Sequence, residues 1–294
     1  MSNQILTRDS CTALKALSIL MVITHHLYVP IIGRYFGFTA CALFFLISGY
    51  GLTKSMDNHE WDYNHLKNSV LKLLKPYLFF WLISISVLLI VKGLSSENLI
   101  SFLTLGFPNL TGWFYRTIIA IYIIYFFTRR IVRRYYMEVM FILALLYVLF
   151  VHDKLDFFWW NSVICFPLGI LVAKHQELIV RHKNIIMLCS LLVYGFCVSQ
   201  IGILCDDVYT IMGGISWSIL LATLSNYFVF KSRIIDFIGK NSLELYMFHC
   251  IPCYYITYGF SNIYVNYSVK VLITFVFTFA LIISYQKILK LLKL

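Results

Sequence analysis

ALKALSILMVITHHLYVPII, residues 13–32, is the stretch whose reading decides the fold. It is apolar enough to cross a bilayer, yet it carries Lys15 near its start and His25 and His26 in its body. Lys15 and His26 stand eleven residues apart. At about 100° per residue that separation is three turns plus roughly 20°, so on a helix both side chains share one face. At about 1.5 Å per residue His26 lies roughly 16 Å deeper than Lys15, near the middle of a hydrocarbon core about 30 Å thick. A polar group at that depth is costly, and such residues as a rule mark function.

The rest of the chain has the same character. Of its 294 residues, 61% are hydrophobic and 13% charged, with a mean hydropathy of +0.81. Soluble domains carry about 25% charged residues. The composition therefore argues against a soluble fold and predicts an all-α, polytopic membrane protein. The opening MSNQILTRDS lacks the apolar core of a signal peptide, so no cleaved leader is expected. Eight cysteines make no disulfide pattern, since Cys41, Cys165, Cys189, Cys197 and Cys250 all fall inside apolar stretches. Cys250 and Cys253 form a CxxC without the strand–helix context of a redox motif, and they read as small packing residues. The net charge of +11 does not imply nucleic acid, because the basic residues lie between apolar runs.

Ten helical spans follow from the hydropathy pattern, at about 13–32, 36–54, 76–91, 113–128, 136–151, 158–173, 185–204, 208–230, 242–262 and 266–286. An even count puts both termini on one side. With that side cytoplasmic, Arg34, Lys92 and Lys154 fall on outer loops, Arg116 and Lys270 fall within spans, and every other lysine and arginine falls on an inner segment, counting Lys15 and Lys54 at the inner ends of their spans. The asymmetry satisfies the positive-inside rule and fits a multi-pass protein of the cell (plasma or inner) membrane. No internal repeat stands out. No stretch is long or polar enough for an appended soluble domain, so residues 1–294 read as a single transmembrane domain.

Several polar residues could carry chemistry. A neutral imidazole takes up a proton near neutral pH, which suits His26 to general-base work. A histidine held in helix packing is the alternative, weakened by His25 beside it and Lys15 on its face. No HxxxH or HExxH spacing supports a metal at His25, His26 or His249, so none is expected. In ALFFLISGYGL, Ser48, Gly49 and Gly51 permit a close helix approach, and Tyr50 adds a hydroxyl. Lys67, Lys72 and Lys75 gather at the inner mouth, either as ordinary inner-loop charge or as a seat for a polyanion such as a nucleotide phosphate. Arg116, after Trp113 and Tyr115, either snorkels to the outer interface or binds an anionic acceptor. In GKNSLELYMFHCIP, Asn241 and Ser242 are placed to cap a helix with Glu244 in its first turn. Glu244, Tyr246 and His249 of that segment join the candidate site residues.

Taken in order, LKALSILMVITHHL, ALFFLISGYGL, the basic run into KPY, WFYRTIIAIYIIY and GKNSLELYMFHCIP resemble the acyltransferase-3 family across nearly the whole chain. The resemblance implies a membrane O-acyltransferase. Such an enzyme moves an acyl group, commonly acetyl, from acyl-CoA as co-substrate to a sugar hydroxyl of a surface glycan or its precursor, with no bound cofactor. Lys15 occupies the basic position of the family pattern, His26 the key histidine, and Lys72 aligns with its basic cytoplasmic motif. Lysine keeps the charge but lacks the planar fork of arginine. The expected roles are then catalytic for His26, Glu244 and His249. They are substrate-binding for Lys15, Ser48, Tyr50, Lys72, Lys75, Trp113, Arg116 and Tyr246. A transporter or flippase for a lipid-linked or anionic solute is the main alternative, and a non-catalytic partner in glycan assembly is a third.

Overall fold

A computed structural model describes residues 4–27, 36–59, 62–92, 109–200, 206–228, 231–255 and 263–291. Its regular elements are all helical: α1 (Arg8–His26), α2 (Phe36–Asn58), α3 (Tyr63–Lys92), α4 (Asn109–Val132), α5 (Tyr136–Val151), α6 (Cys165–Lys174), α7 (Gln176–Arg181), α8 (Lys183–Gln200), α9 (Asp206–Leu224), α10 (Arg233–Lys240), α11 (Ser242–Phe248), α12 (Cys250–Tyr255) and α13 (Ile263–Leu291). Short 3₁₀ turns stand at Arg133–Tyr135 and Phe157–Trp159.

Among the described residues six helical stretches are long and apolar enough to cross a membrane: Phe36–Asn58, Tyr63–Ser86, Gly112–Val151, Lys183–Gln200, Asp207–Leu224 and Ser268–Leu291. The stretch Gly112–Val151 contains a break, because Arg133 has φ of 50°. A non-glycine residue there leaves the α-helical path, which separates α4 from α5. The remaining apolar runs of the sequence take shorter forms. The run at 158–173 is a turn followed by the ten-residue α6. The run at 242–262 is helical in two pieces that meet at His249, and its residues 256–262 lie outside the described ones. Pro252 cannot donate to the Phe248 carbonyl four residues back, which accounts for that break. The run at 13–32 is helical from Arg8 to His26, with residues 28–32 outside the described ones.

The chain forms two compact units, Met1–Asp62 with Ile124–Lys240, and Tyr63–Ile123 with Asn241–Leu294. In the first, α2 is the central element and packs against α1, α6 and α9. Every side chain from Ala40 to Ile47 is buried, so this helix is apolar all round. Its closest neighbour is α6. A Cβ on Gly49 would run into the Phe166 carbonyl oxygen, and one on Gly169 into the Leu46 carbonyl oxygen, so the two backbones touch. Gly214 of α9 meets the Ala42 Cβ in the same manner, at 3.0 Å from its own ideal Cβ position. The start of the chain is held down as well. The Asn226 amide donates to the Ile5 carbonyl at 2.7 Å, Lys231 pairs with Asp9 at 2.8 Å, and Thr7 caps α1 by accepting from the Ser10 N–H at 3.1 Å.

The connection after α5 carries a charged clasp. His152 holds Asp153 through Nδ1 at 2.7 Å and Asp207 through Nε2 at 2.8 Å, with its ring 4.6 Å from that of Trp160. Two carboxylates need both ring nitrogens as donors, so the hydrogen bonds to Asp153 and then Asp207 raise the His152 pKa. A raised pKa in the folded state adds stability that is fully present below the unfolded value near 6.5 and lost as pH rises through the folded value. Thermal unfolding of wild type against His152→Gln should show the largest gap below about pH 6 and a vanishing gap toward pH 8. An equal gap at both ends would rule the clasp out.

In the second unit, α11 packs on α3 and α13, and α12 packs on α13. Phe79 of α3 meets Phe248 edge-on at 5.6 Å and the tilted Tyr285 ring at 5.0 Å between ring centres. The Gln286 amide donates to the Asn241 side-chain oxygen at 2.6 Å.

Candidate functional site

Within the first unit, α1 runs unbroken from Arg8 to His26, so Lys15 and His26 are carried by one continuous helix. Both are half-buried, and His26 closes the last turn. The ring of His25 stands 5.5 Å from that of His26 and lies directly over Gly37, where a Cβ would sit 2.7 Å from it. His25 is thus a packing partner of the first turn of α2. Ser48 is half-buried. Tyr50 is buried, and its hydroxyl donates to the Gln176 side-chain oxygen at 3.1 Å, an anchor for α7.

A second constellation in this unit escaped the sequence. The Arg129 guanidinium pairs with Asp57 at 2.5 Å and donates to the Tyr125 hydroxyl at 3.2 Å. That hydroxyl also meets Thr53 Oγ1 at 2.9 Å, and Thr53 donates in turn to the Gly49 carbonyl at 2.7 Å. The Tyr136 ring receives Arg129 at 5.0 Å and Lys174 at 4.2 Å. Two cations on one aromatic ring with a single carboxylate leave excess positive charge at this end of α2. Asp57→Asn should lower unfolding stability by about 1 kcal/mol, because it leaves a largely covered guanidinium without its anion. Denaturation in detergent measures it, and an unchanged midpoint would reduce the pair to surface decoration. The arginine-rich run that begins in the last turn of α4 reads from sequence as inner-loop charge alone, and the acidic partner of Arg129 lies 72 residues away.

The second unit gathers an aromatic wall. Phe114 meets Tyr246 at 4.9 Å and Trp113 at 5.7 Å, and Tyr77 stacks on Tyr115 at 5.5 Å. Tyr115 is fully buried, and its hydroxyl donates to the Leu243 carbonyl at 3.1 Å, tying α4 to the first turn of α11. Tyr246 lies edge-on to His249 at 6.2 Å. His249 is fully buried, with Nδ1 at 2.9 Å from the Leu245 carbonyl. A carbonyl can only accept, so Nδ1 donates this hydrogen bond, and Nε2 stands 3.5 Å from Cys250 Sγ. Asn241 stands at the N-cap of α11, yet its side chain makes no cap hydrogen bond and accepts from Gln286 instead. The sequence-based cap is corrected accordingly, while Glu244 does sit half-buried in the first turn.

The basic residues of this unit differ in their surroundings. Lys72 is exposed and Lys75 half-buried on α3. Arg116 is half-buried, and its Nε is covered by protein without a hydrogen-bond partner among the described residues. A covered guanidinium nitrogen with no acceptor is a donor that an anion would satisfy. Of the expected site residues, the structure therefore brings Trp113, Tyr246 and His249 to one aromatic cluster. Lys15 and His26 share one helix, Tyr50 is committed to α7, and Lys72 stands in the open.

A family model described as an acyltransferase domain, of the acyltransferase-3 type, matches residues 9–286. No curated protein and no solved structure matches the chain.

Proposed function

This chain belongs to the acyltransferase-3 family, and on that premise we propose that it is an O-acetyltransferase of the cell membrane acting on a surface glycan or a glycan precursor. The family match runs through both compact units, so both are taken as parts of one transmembrane acyltransferase domain. The ten-span arrangement with both termini cytoplasmic is the topology proposed for it, supported by the distribution of lysine and arginine. Acyl-CoA is the donor, met from the cytoplasmic side by Lys72, Lys75 and Lys15, whose ammonium groups suit its phosphates.

The observation that carries the reading is the pairing of Lys15 and His26 on one unbroken helix inside a family-wide match. His26 is proposed to take the proton from the acceptor hydroxyl as its oxygen attacks the thioester carbonyl. The carbonyl carbon becomes tetrahedral, the C–S bond then breaks, and the ester forms as the CoA thiolate leaves. The proton on His26 passes to that thiolate. Glu244 and His249 are assigned to orienting or relaying protons. Trp113, Tyr246, Ser48 and Tyr50 are assigned to the acceptor and the acyl chain, and Arg116 to an anionic group of the acceptor, a role supported by its unmatched Nε.

Purified protein in lipid vesicles, given labelled acetyl-CoA and candidate glycans, should transfer label to glycan. Glycan from cells with and without the gene should differ by the mass of one acyl group. Unchanged glycan mass with lost export would select a transporter instead.

A further inference from the structure

The first unit carries a feature that the proposed chemistry does not use. A cavity of about 340 Å³ opens between α1, α9 and α10, bordered by Ala13, Leu17, Leu20, Leu221, Phe228 and Ile235. Its size falls in the range of about 300–1,000 Å³ typical of small-molecule sites. Its wall is almost wholly apolar. It is open along one side, where Leu17 is 39% and Phe228 65% exposed. Along α1 it extends from Ser10 to Leu20, about 15 Å at the helical rise. Lys15 lies about 200° around α1 from Ala13, so the groove occupies the side of the helix away from Lys15 and His26.

The surroundings of one end are charged. Ser10 and Ile235 line the groove, and near them in the chain stand Arg8, Asp9, Lys231, Arg233 and Asp236. Arg8, Lys231 and Arg233 are all exposed. Asp9 is the acid at this end of α1, and Lys231 already pairs with it. Arg8 and Lys240 act on the same carboxylate. Asp236 beside Ile235 also acts on Lys231, so two acids stand among four bases, Arg8, Lys231, Arg233 and Lys240, and a surplus of positive charge remains beside an oily slot. A second copy of the chain would bring the same positive rim and be repelled. An amphiphile with an anionic head is complementary to both parts.

We propose that this groove seats one acyl chain of an anionic phospholipid, with its phosphate held at the rim by Arg8, Lys231 and Arg233. The exposed apolar residues of α10, Ile234 and Phe237, would lie among neighbouring chains at the same level.

Native mass spectrometry of the full-length protein in mild detergent tests this, with equimolar phosphatidylglycerol and phosphatidylcholine added. The phosphatidylglycerol adduct should exceed the phosphatidylcholine adduct by at least about fivefold, the effect of one basic residue at an anionic surface. Ala13→Phe, which fills the groove, should abolish both adducts. The double change Arg8→Gln with Arg233→Gln leaves the groove lining intact and should bring the ratio close to one, so the proposal stays testable if Ala13→Phe fails to fold. Equal retention of the two lipids by wild type would overturn it, as would full phosphatidylglycerol binding by Ala13→Phe. Displacement of the lipid by glycerol phosphate alone would do the same, since the chain would then contribute nothing.

Discussion

His26→Ala should lower the rate of acyl transfer by about 10²- to 10⁴-fold, the usual contribution of a positioned general base. The loss should appear in kcat, with the amount of inserted protein unchanged. His26 ends α1 and is half-buried, so removing its ring opens little of the packed interior. What disappears is the acceptor for the hydroxyl proton, without which an alcohol is a poor nucleophile toward a thioester. Lys15→Arg keeps the charge one helical face below and should retain most of the rate, whereas Lys15→Leu should raise KM for acetyl-CoA. His25→Ala provides the matched control. Its ring fills the space over Gly37, so its loss should act on thermal stability more than on rate. The readout is label transfer from acetyl-CoA in vesicles, normalised to protein that melts as wild type does. A His26→Ala protein that inserts normally and transfers at full rate would exclude the base assigned here.

The sequence disclosed helices well where composition alone determines them. α5 begins and ends at the residues read from hydropathy, 136 and 151, because from Val139 to Val151 the run is wholly apolar and charge lies close to both ends. It disclosed less where a helix stops inside an apolar run. At 158–173, Asn161 and Ser162 are both buried, with Ser162 Oγ at 2.7 Å from the Asn161 side-chain oxygen and 3.1 Å from the Phe38 carbonyl. These local and cross-helix bonds compete with the helical ladder, and hydropathy does not register them. At 242–262 the interruption is legible in the sequence as Pro252. Asn241 failed as a cap for a similar reason, since Gln286, distant in sequence, engages its oxygen.

The candidate site was legible to the extent that its parts lie close in sequence. Lys15 and His26 share a helix, and Trp113 precedes the tyrosine and arginine that follow it by a turn or less. Tyr115 was present in the quoted motif, yet its part in tying α4 to Leu243 depends on a contact 128 residues away. The Arg129–Asp57 pair was hidden for the same physical reason. Periodicity reports which residues share a face, while the partner of that face is set by tertiary packing.

Gly169→Ala should be strongly destabilising for so small a change, with stability falling by about 1–3 kcal/mol or more. The added methyl would meet the Leu46 carbonyl oxygen and stand 2.8 Å from the Tyr50 nitrogen. Both are backbone atoms of α2, so no side chain can rotate aside and the helices must part. Parting them uncovers Phe166 and the run Leu43–Ile47, all buried at this contact. Gly49→Ala should behave alike, since its methyl faces the Phe166 carbonyl from the opposite side of the crossing. Gly51 is the internal control. It lies on the same helix two residues on, with nothing within 4 Å of its Cβ position. There alanine improves helix propensity by about 1 kcal/mol at no steric cost, so Gly51→Ala should raise the melting temperature slightly. The sequence marked both glycines of SGYG alike as small residues for close approach. Thermal unfolding of the three variants in one detergent separates them, and a Gly169→Ala protein as stable as Gly51→Ala would mean that α2 and α6 do not cross backbone to backbone.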